Sequence, residues 1–193
     1  MLFGLTIAAF LTLHAQEPSA TPPGSDEAVQ TAPRTQDGHR IKEPQKKKHV
    51  APEWPNNALR AGLDGRVVLE CLIGIDGRVE DVKVVKGYRS LAEAAKKAVP
   101  KWRYTTTLLD GKAVPVIMTV TVNFKLQAPP KRDDTLTSLS DSDPEIRWAA
   151  VTWLGRFRPI TGEQKTALAR ALEDPSELVR SAAKKAIERL EAQ

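Results

Sequence analysis

Residues 116 to 126 alternate without a break, with Val116, Met118, Val120, Val122, Phe124 and Leu126 on one side and Ile117, Thr119, Thr121, Asn123 and Lys125 on the other. A period of two over this length sets an apolar row against a core and a polar row toward water, and the backbone of such a strand needs a paired neighbour. The neighbours lie upstream. Between residues 65 and 76, Val67, Leu69, Cys71 and Ile73 alternate with Val68, Glu70 and Leu72, which describes a strand covered on one face and partly on the other. Asp76-Gly77 is the favoured pair for a tight hairpin, and the return strand runs from Val79 to Lys86. Ser90-Leu91-Ala92-Glu93 reads as a capping box opening a helix, with Leu91, Ala94, Ala95, Ala98, Val99 and Trp102 at helical spacing. Pro100 removes the hydrogen bond to Lys96, so a kink or stop is expected near Val99. An Asp110-Gly111 turn then leads into the long strand. The expected fold of residues 50–127 is α+β, one helix packed on a three-stranded antiparallel sheet.

A different pattern follows Pro129-Pro130-Lys131-Arg132, which marks a short semi-rigid joint at residues 128–132. Leu139, Asp141, Arg147, Ala149 and Ala150 recur as Leu172, Asp174, Arg180, Ala182 and Ala183, an offset of 33 residues. A fixed period in this range signals a helical solenoid. Helices are expected to open at Asp143-Pro144, at Thr161-Gly162-Glu163-Gln164 and at Asp174-Pro175, each with an N-cap. Their apolar stripes are Ile146, Ala149, Ala150, Trp153 and Leu154, then Leu168, Ala171 and Leu172, then Val179, Ala182, Ala183, Ala186, Ile187 and Leu190. Residues 133–193 resemble HEAT repeats, and fewer than two complete copies are present. The resemblance implies an Asp and Arg ladder between repeats, with Asp141 pairing Arg147 and Asp174 pairing Arg180, in a structural role. Stacked repeats usually need about three units to bury a continuous core. This all-α segment is therefore expected to dock on the sheet unit, to form a homodimer or to bind a partner.

The other end of the chain is simpler. Residues 1–15 form an uncharged apolar run followed by Gln16-Glu17-Pro18. The run is shorter than the ~20 residues of a spanning helix. It fits a secretory signal cleaved near Ala15, or a short membrane anchor. Residues 16–49 contain Pro18, Pro22, Pro23, Pro33 and Pro44 and no apolar periodicity, the composition of a disordered linker. In polyproline II it reaches roughly 105 Å. Lys46-Lys47-Lys48 at its end is a charge run of the kind that is usually solvated, the alternative being contact with acidic lipid or a partner.

Composition removes whole classes of function. The net charge of +5 is too mild to imply nucleic acid, and no segment is a polycationic arm. The single cysteine, Cys71, excludes an intramolecular disulfide and a thiolate metal cluster, and all three histidines precede residue 50. Asp76 and Asp110 sit in turns and Glu70 in a strand, with no nucleophile or metal ligand beside them. No enzyme, cofactor or metal site is expected.

The sheet unit resembles the C-terminal domain of the TonB family of periplasmic energy transducers. The resemblance is carried by Pro52-Glu53-Trp54-Pro55-Asn56-Asn57-Ala58, Gly62-Leu63-Asp64-Gly65-Arg66-Val67, Asp76-Gly77-Arg78-Val79, the Ala-rich helix, Lys101-Trp102-Arg103-Tyr104 and the closing strand. It implies strand addition, in which an outer-membrane receptor segment pairs with the exposed edge of the last strand. Ile117, Thr119, Thr121, Asn123 and Lys125 are then the contact strand; the alternative is that these residues only keep the outer face wet. Trp54 and Trp102 read as core anchors, with Trp54 also a candidate aromatic contact. The family mechanism further implies an inner-membrane proton-driven motor, reached through a Ser and a His one turn apart; here His14 has Phe10 four residues before it and no Ser precedes Ser19. Two functions stay open: a TonB-like protein that engages outer-membrane receptors in transmembrane transport, or a non-energising scaffold that binds other envelope proteins. Both place the chain in the periplasm, soluble or anchored at its N-terminus.

Overall fold

The computed structural model describes Arg34–Thr35 and residues 41–192, so the expected signal or anchor at 1–15 and most of the expected linker lie outside the described residues. The elements are β1 (Arg34–Thr35), β2 (Lys46–Lys48), α1 (Asn56–Ala61), β3 (Gly65–Ile73), β4 (Val79–Lys86), α2 (Arg89–Ala98), β5 (Arg103–Tyr104), β6 (Thr107–Leu109), β7 (Lys112–Val114), β8 (Val116–Phe124), α3 (Arg132–Ser138), α4 (Pro144–Leu154), α5 (Gly162–Ala171) and α6 (Glu177–Glu191).

The alternating sequences pair as their period demands. β3 lies between β4 and β8, all antiparallel, with Val67 opposite Val122, Leu69 opposite Val120, Cys71 opposite Met118 and Ile73 opposite Val116. This register puts every apolar row on one face, where the row packs in one core with Leu91, Ala94 and Ala95 of α2 and with Trp102. A slip of one residue would turn the whole row to solvent. Two turns depend on glycine. Gly77 has φ +77°, and a Cβ there would stand 2.2 Å from the Tyr104 carbonyl oxygen. That same approach lets the Tyr104 N–H donate to the Gly77 carbonyl at 2.8 Å, which ties β5 to the β3–β4 hairpin. Asp110 and Gly111, with φ 51° and 77°, form the two-residue hairpin loop between β6 and β7.

Pro100 acts as expected. α2 stops at Ala98 and residues Val99–Lys101 continue as a single 3₁₀ turn, which delivers Trp102 into the core at 1% exposure. The start of α2 departs from expectation, because the helix opens at Arg89 and the Ser90 hydroxyl caps nothing. Tyr88 is the reason: it is buried and stacks on Trp148 with ring centroids 5.5 Å apart, which fixes the chain before Ser90. The Arg89 N–H instead donates to Glu145 Oε2 of α4 at 2.7 Å. Burial holds the Glu145 carboxyl above its usual range, and the bond from Arg89 opposes that rise.

The expected linker also ends sooner than residue 49. Ile41 and Val50 pack on the core, Pro44 is buried, and β2 pairs with β5. Trp102 explains this strap. Its indole donates to the Val50 carbonyl at 2.7 Å, His49 stacks on it at 4.7 Å, and Lys46 Nζ stands 3.6 Å over its ring. Lys46, Lys47 and Lys48 are exposed, yet they form a strand rather than a free charge run.

In the repeat segment, α4 is capped by Asp143 and α5 by Thr161, as the sequence predicts, whereas α6 opens two residues beyond Pro175, at Glu177. Of the three fates expected for so short an array, the structure shows docking. Ile146, Ala149 and Ala150 of α4 belong to the same core as Ala58, Ala61 and Leu63, while Val151, Leu154, Leu168, Val179 and Ala183 form a second core between the repeat helices. Trp153 Nε1 donates to the Gly62 carbonyl at 2.9 Å, Asn57 Nδ2 to Asp141 Oδ2 at 3.1 Å, and Arg89 pairs with Asp143 at 3.3 Å. At Gly62, φ is +74° and a Cβ would lie 2.3 Å from Trp153 Nε1. Gly62→Ala is therefore expected to cost about 2 to 5 kcal/mol from backbone strain and overpacking together. Urea unfolding checks this, and a change below about 0.5 kcal/mol would show that the contact between the units carries no strain.

Candidate functional site

An antiparallel strand paired on one side only presents alternate N–H and C=O groups on the other. Among the described residues, β8 is such a strand over most of its length. On its outer side β1 covers only the start, with Arg34 opposite Ile117 and Thr35 opposite Val116. From residue 118 to 124 no further strand pairs with that side among the described residues.

The predicted contact residues divide along this edge. Thr119 is half-buried, Thr121 and Asn123 are exposed, and all three lie on the open stretch. Ile117 is already opposite Arg34, and Lys125 falls one residue past the end of β8, so these two do not belong to the open stretch. What covers an edge, and where a strand frays, is decided by the rest of the fold.

On the core side of the same stretch the strap stands off from β8 and leaves a groove of about 500 Å³, lined by residues 43–46, Tyr104 and residues 118–121. Two reciprocal bonds hold the strap: Thr105 N–H to the Gln45 carbonyl at 2.8 Å and Gln45 N–H to Thr105 Oγ1 at 2.9 Å. The Tyr104 hydroxyl is buried with no hydrogen-bond partner among the described residues, and burial raises its pKa, assisted by Cys71 and Glu43. Burial pushes the Cys71 thiol up to about 12, helped by Asp81 and Glu70, so it is no nucleophile near neutral pH. Sequence reasoning missed the strap and Tyr104. The available signal was weak: Ile41 and Pro44 on an otherwise polar segment.

Trp54 is half-buried and meets Phe124, the last residue of β8, edge to face at 5.6 Å. It anchors the far end of the strand, and its indole N–H is buried without a partner among the described residues. It also lines a separate groove of about 750 Å³ against α2.

The four ladder residues come together, with a pairing that differs from the expected one. Arg147 Nε and Nη2 donate to both carboxylate oxygens of Asp174 at 2.8 and 2.9 Å, across the two repeats. Arg147 reaches Asp141 only at the backbone carbonyl, at 2.8 Å, and Arg180 Nη1 likewise meets the Asp174 carbonyl at 2.6 Å. Each Arg thus closes the turn before its own helix, and Arg147 also clamps the next repeat. The Arg147 hydrogen bonds are the main cause that lowers the Asp174 pKa. A depressed carboxylate contributes stability at all pH above the unfolded value, roughly 3.9, and loses it as the pH falls through the folded value. Asp174→Asn should lower stability at pH 7 while removing part of the acid-induced loss below about pH 4, which urea midpoints at the two pH values would measure. An equal shift at both would contradict an ionised clamp.

With this geometry in hand, the comparisons with known proteins are specific. Residues 50–126 match the family model described as Gram-negative bacterial TonB protein C-terminal, and residues 133–193 match that of HEAT repeats. Protein TonB of Xanthomonas campestris pv. campestris is 35% identical over 77 residues, covering 39% of this chain and 34% of that protein. Protein tonB2 of Pseudomonas aeruginosa is 35% identical over 78 residues, covering 39% of this chain and 29% of that protein. The match thus spans about a third of the length of these relatives. The solution NMR structure of the Pseudomonas aeruginosa TonB CTD is similar at 26% identity and TM-score 0.38, over 45% of this chain and 90% of that one. The tonB2 protein from Vibrio anguillarum is similar at 32% identity and TM-score 0.35, over 53% of this chain and all of that one. Residues 50–126 are thus similar to a TonB C-terminal domain and residues 133–193 to HEAT repeats.

Proposed function

We propose that this protein binds a segment of an outer-membrane receptor by adding it as a strand to β8, and that it takes part in TonB-type transmembrane transport from the periplasm. The observation that carries this reading is the open stretch of β8 at residues 118–124, within the domain that matches TonB C-termini. An incoming extended segment satisfies the unpaired backbone groups there, and its side chains alternate between the polar row of Thr119, Thr121 and Asn123 and the groove on the core side. The affinity then resides in main-chain bonds, with specificity set by the groove. This is binding, with no catalytic step assigned to any residue.

A second reading is a non-energising scaffold for envelope proteins, without the inner-membrane motor. It is favoured by the HEAT helices, which carry their own groove of about 450 Å³ lined by Leu136, Leu139, Ala167, Ala171 and Val179 among others. Both readings share the β8 edge.

Titration of the full chain with a synthetic peptide from a periplasm-facing extended segment of an outer-membrane receptor tests the strand addition. Amide signals of residues 118–124 should shift and gain exchange protection. Thr121→Pro, with circular dichroism like that of wild type, should weaken capture by at least about tenfold, because proline supplies no N–H and crowds an added strand. Equal capture by the folded variant would overturn the proposal.

A further inference from the structure

We infer that one end of the sheet unit is a docking surface for an anionic lipid bilayer, formed by a row of cations beside two exposed aliphatic side chains. The inference starts from the Lys46-Lys47-Lys48 run, which strand addition leaves without a role. β2 pairs with β5 so that Lys48 stands opposite Arg103, and on its other side Arg103 forms an antiparallel bridge with Arg78. Three cations thus hold adjacent cross-strand positions, where opposite charges stabilise a sheet and like charges destabilise it. Lys48 and Arg78 are exposed, and exposed Lys47 extends the row. Arg103 is half-buried and pinned by Nη1, which donates to the Pro100 and Trp102 carbonyls at 3.1 and 2.6 Å. Its Nε and Nη2 have no partner among the described residues. Local acids leave most of this charge in place: Asp76 pairs with Arg78 at 3.1 Å, while the Glu80 carboxylate lies against Gly74 on the β3 side. A dense array of anionic groups would relieve the repulsion along the row.

The apolar neighbours favour a bilayer over a soluble polyanion. Ile73 is opposite both Val79 and Val116, so the 74–78 turn and the β6–β7 hairpin leave the sheet at the same end. The bond from the Tyr104 N–H to the Gly77 carbonyl holds that turn beside β5 and its cations. Ile75 in the turn and Leu108 in β6 are 57% and 62% exposed, two large aliphatic side chains left in water. Cations that meet lipid phosphates, next to aliphatic groups that enter the headgroup boundary, hold a protein to an anionic leaflet. An acidic peptide would use the row and leave Ile75 and Leu108 where they are. The surface does not include residues 118–124 of β8, so the inference stands or falls apart from strand addition.

The test is co-sedimentation of the full chain with vesicles of phosphatidylcholine alone and of phosphatidylcholine mixed equally with phosphatidylglycerol. Comparing the two lipids cancels attachment through the apolar residues 1–15, which carry no charge. Each cation near an anionic surface changes partitioning by about fivefold. The wild type should therefore prefer the anionic vesicles by at least about tenfold, and Lys48→Gln with Arg78→Gln should lose most of that preference while keeping the wild-type circular dichroism. Lys184→Gln with Lys185→Gln removes the same charge from the exposed side of α6 and should keep the preference. Ile75→Ser with Leu108→Ser should weaken binding to the anionic vesicles by at least about fivefold. Equal binding of the wild type to the two vesicles would overturn the inference, as would an equal loss in the Lys184 and Lys185 variant. So would anionic-vesicle binding that the Ile75 and Leu108 variant leaves unchanged, which would place a soluble polyanion such as an acidic protein segment on the row.

Discussion

The structure depends on one contact, the seating of α4 on α1. Neither sequence unit closes its own core. The repeat segment offers a short stack of helices, and Ala58, Ala61 and Leu63 of the sheet unit are buried in one core with it. Ile146, Ala149 and Ala150 pack against them, and the four alanines on α1 and α4, Ala58, Ala61, Ala149 and Ala150, let the helices approach closely. Polar contacts around this patch fix its geometry: Trp153 on the Gly62 carbonyl, Asn57 on Asp141, and Glu145 at the first N–H of α2. Asn57 gives the Asp141 carboxylate a donor from the preceding element, as Arg147 does for Asp174. The sheet unit thus caps the solenoid, the role that terminal repeats normally fill.

From that frame the binding edge follows. β3 is paired on both sides and buried on one face, so its neighbour β8 is held in register along its whole length. Trp54 braces one end of β8 through Phe124, and β1 occupies the other. A rigid strand with a side left open among the described residues is suited to main-chain recognition, because little ordering entropy remains to be lost on the protein's side. The strap adds shape on the core side without closing the edge.

Much of this was legible from periodicity. The alternation at residues 65–73 and 116–126 predicts β3 and β8, Asp76-Gly77 and Asp110-Gly111 predict turns, and Pro100 predicts the end of α2, because each is a local rule. The strands β6 and β7 flanking the Asp110-Gly111 turn were not foreseen, nor were the short α1, α3, β1, β2 and β5, which draw their stability from long-range partners that no local pattern encodes. The start of α2 moved because buried Tyr88 and a carboxylate 56 residues away, Glu145, outweighed the Ser90 box. The direction of the ladder was hidden for a similar reason, since spacing gives no choice between Asp141 and Asp174 for Arg147. On the edge, the row of Thr119, Thr121 and Asn123 was read from the alternation and its contact role only from the resemblance, while the place of Ile117 opposite β1 and of Lys125 past the strand end needed the fold.

The claim most open to direct measurement is that the two sequence units form a single folded body. Equilibrium urea unfolding of the full chain, followed residue by residue in NMR spectra at β3 and β8 amides and at α5 and α6 amides, measures it. A shared core predicts one transition with the same midpoint and slope for both sets. Two separated transitions, with the repeat helices lost while β3 and β8 remain intact, would contradict it.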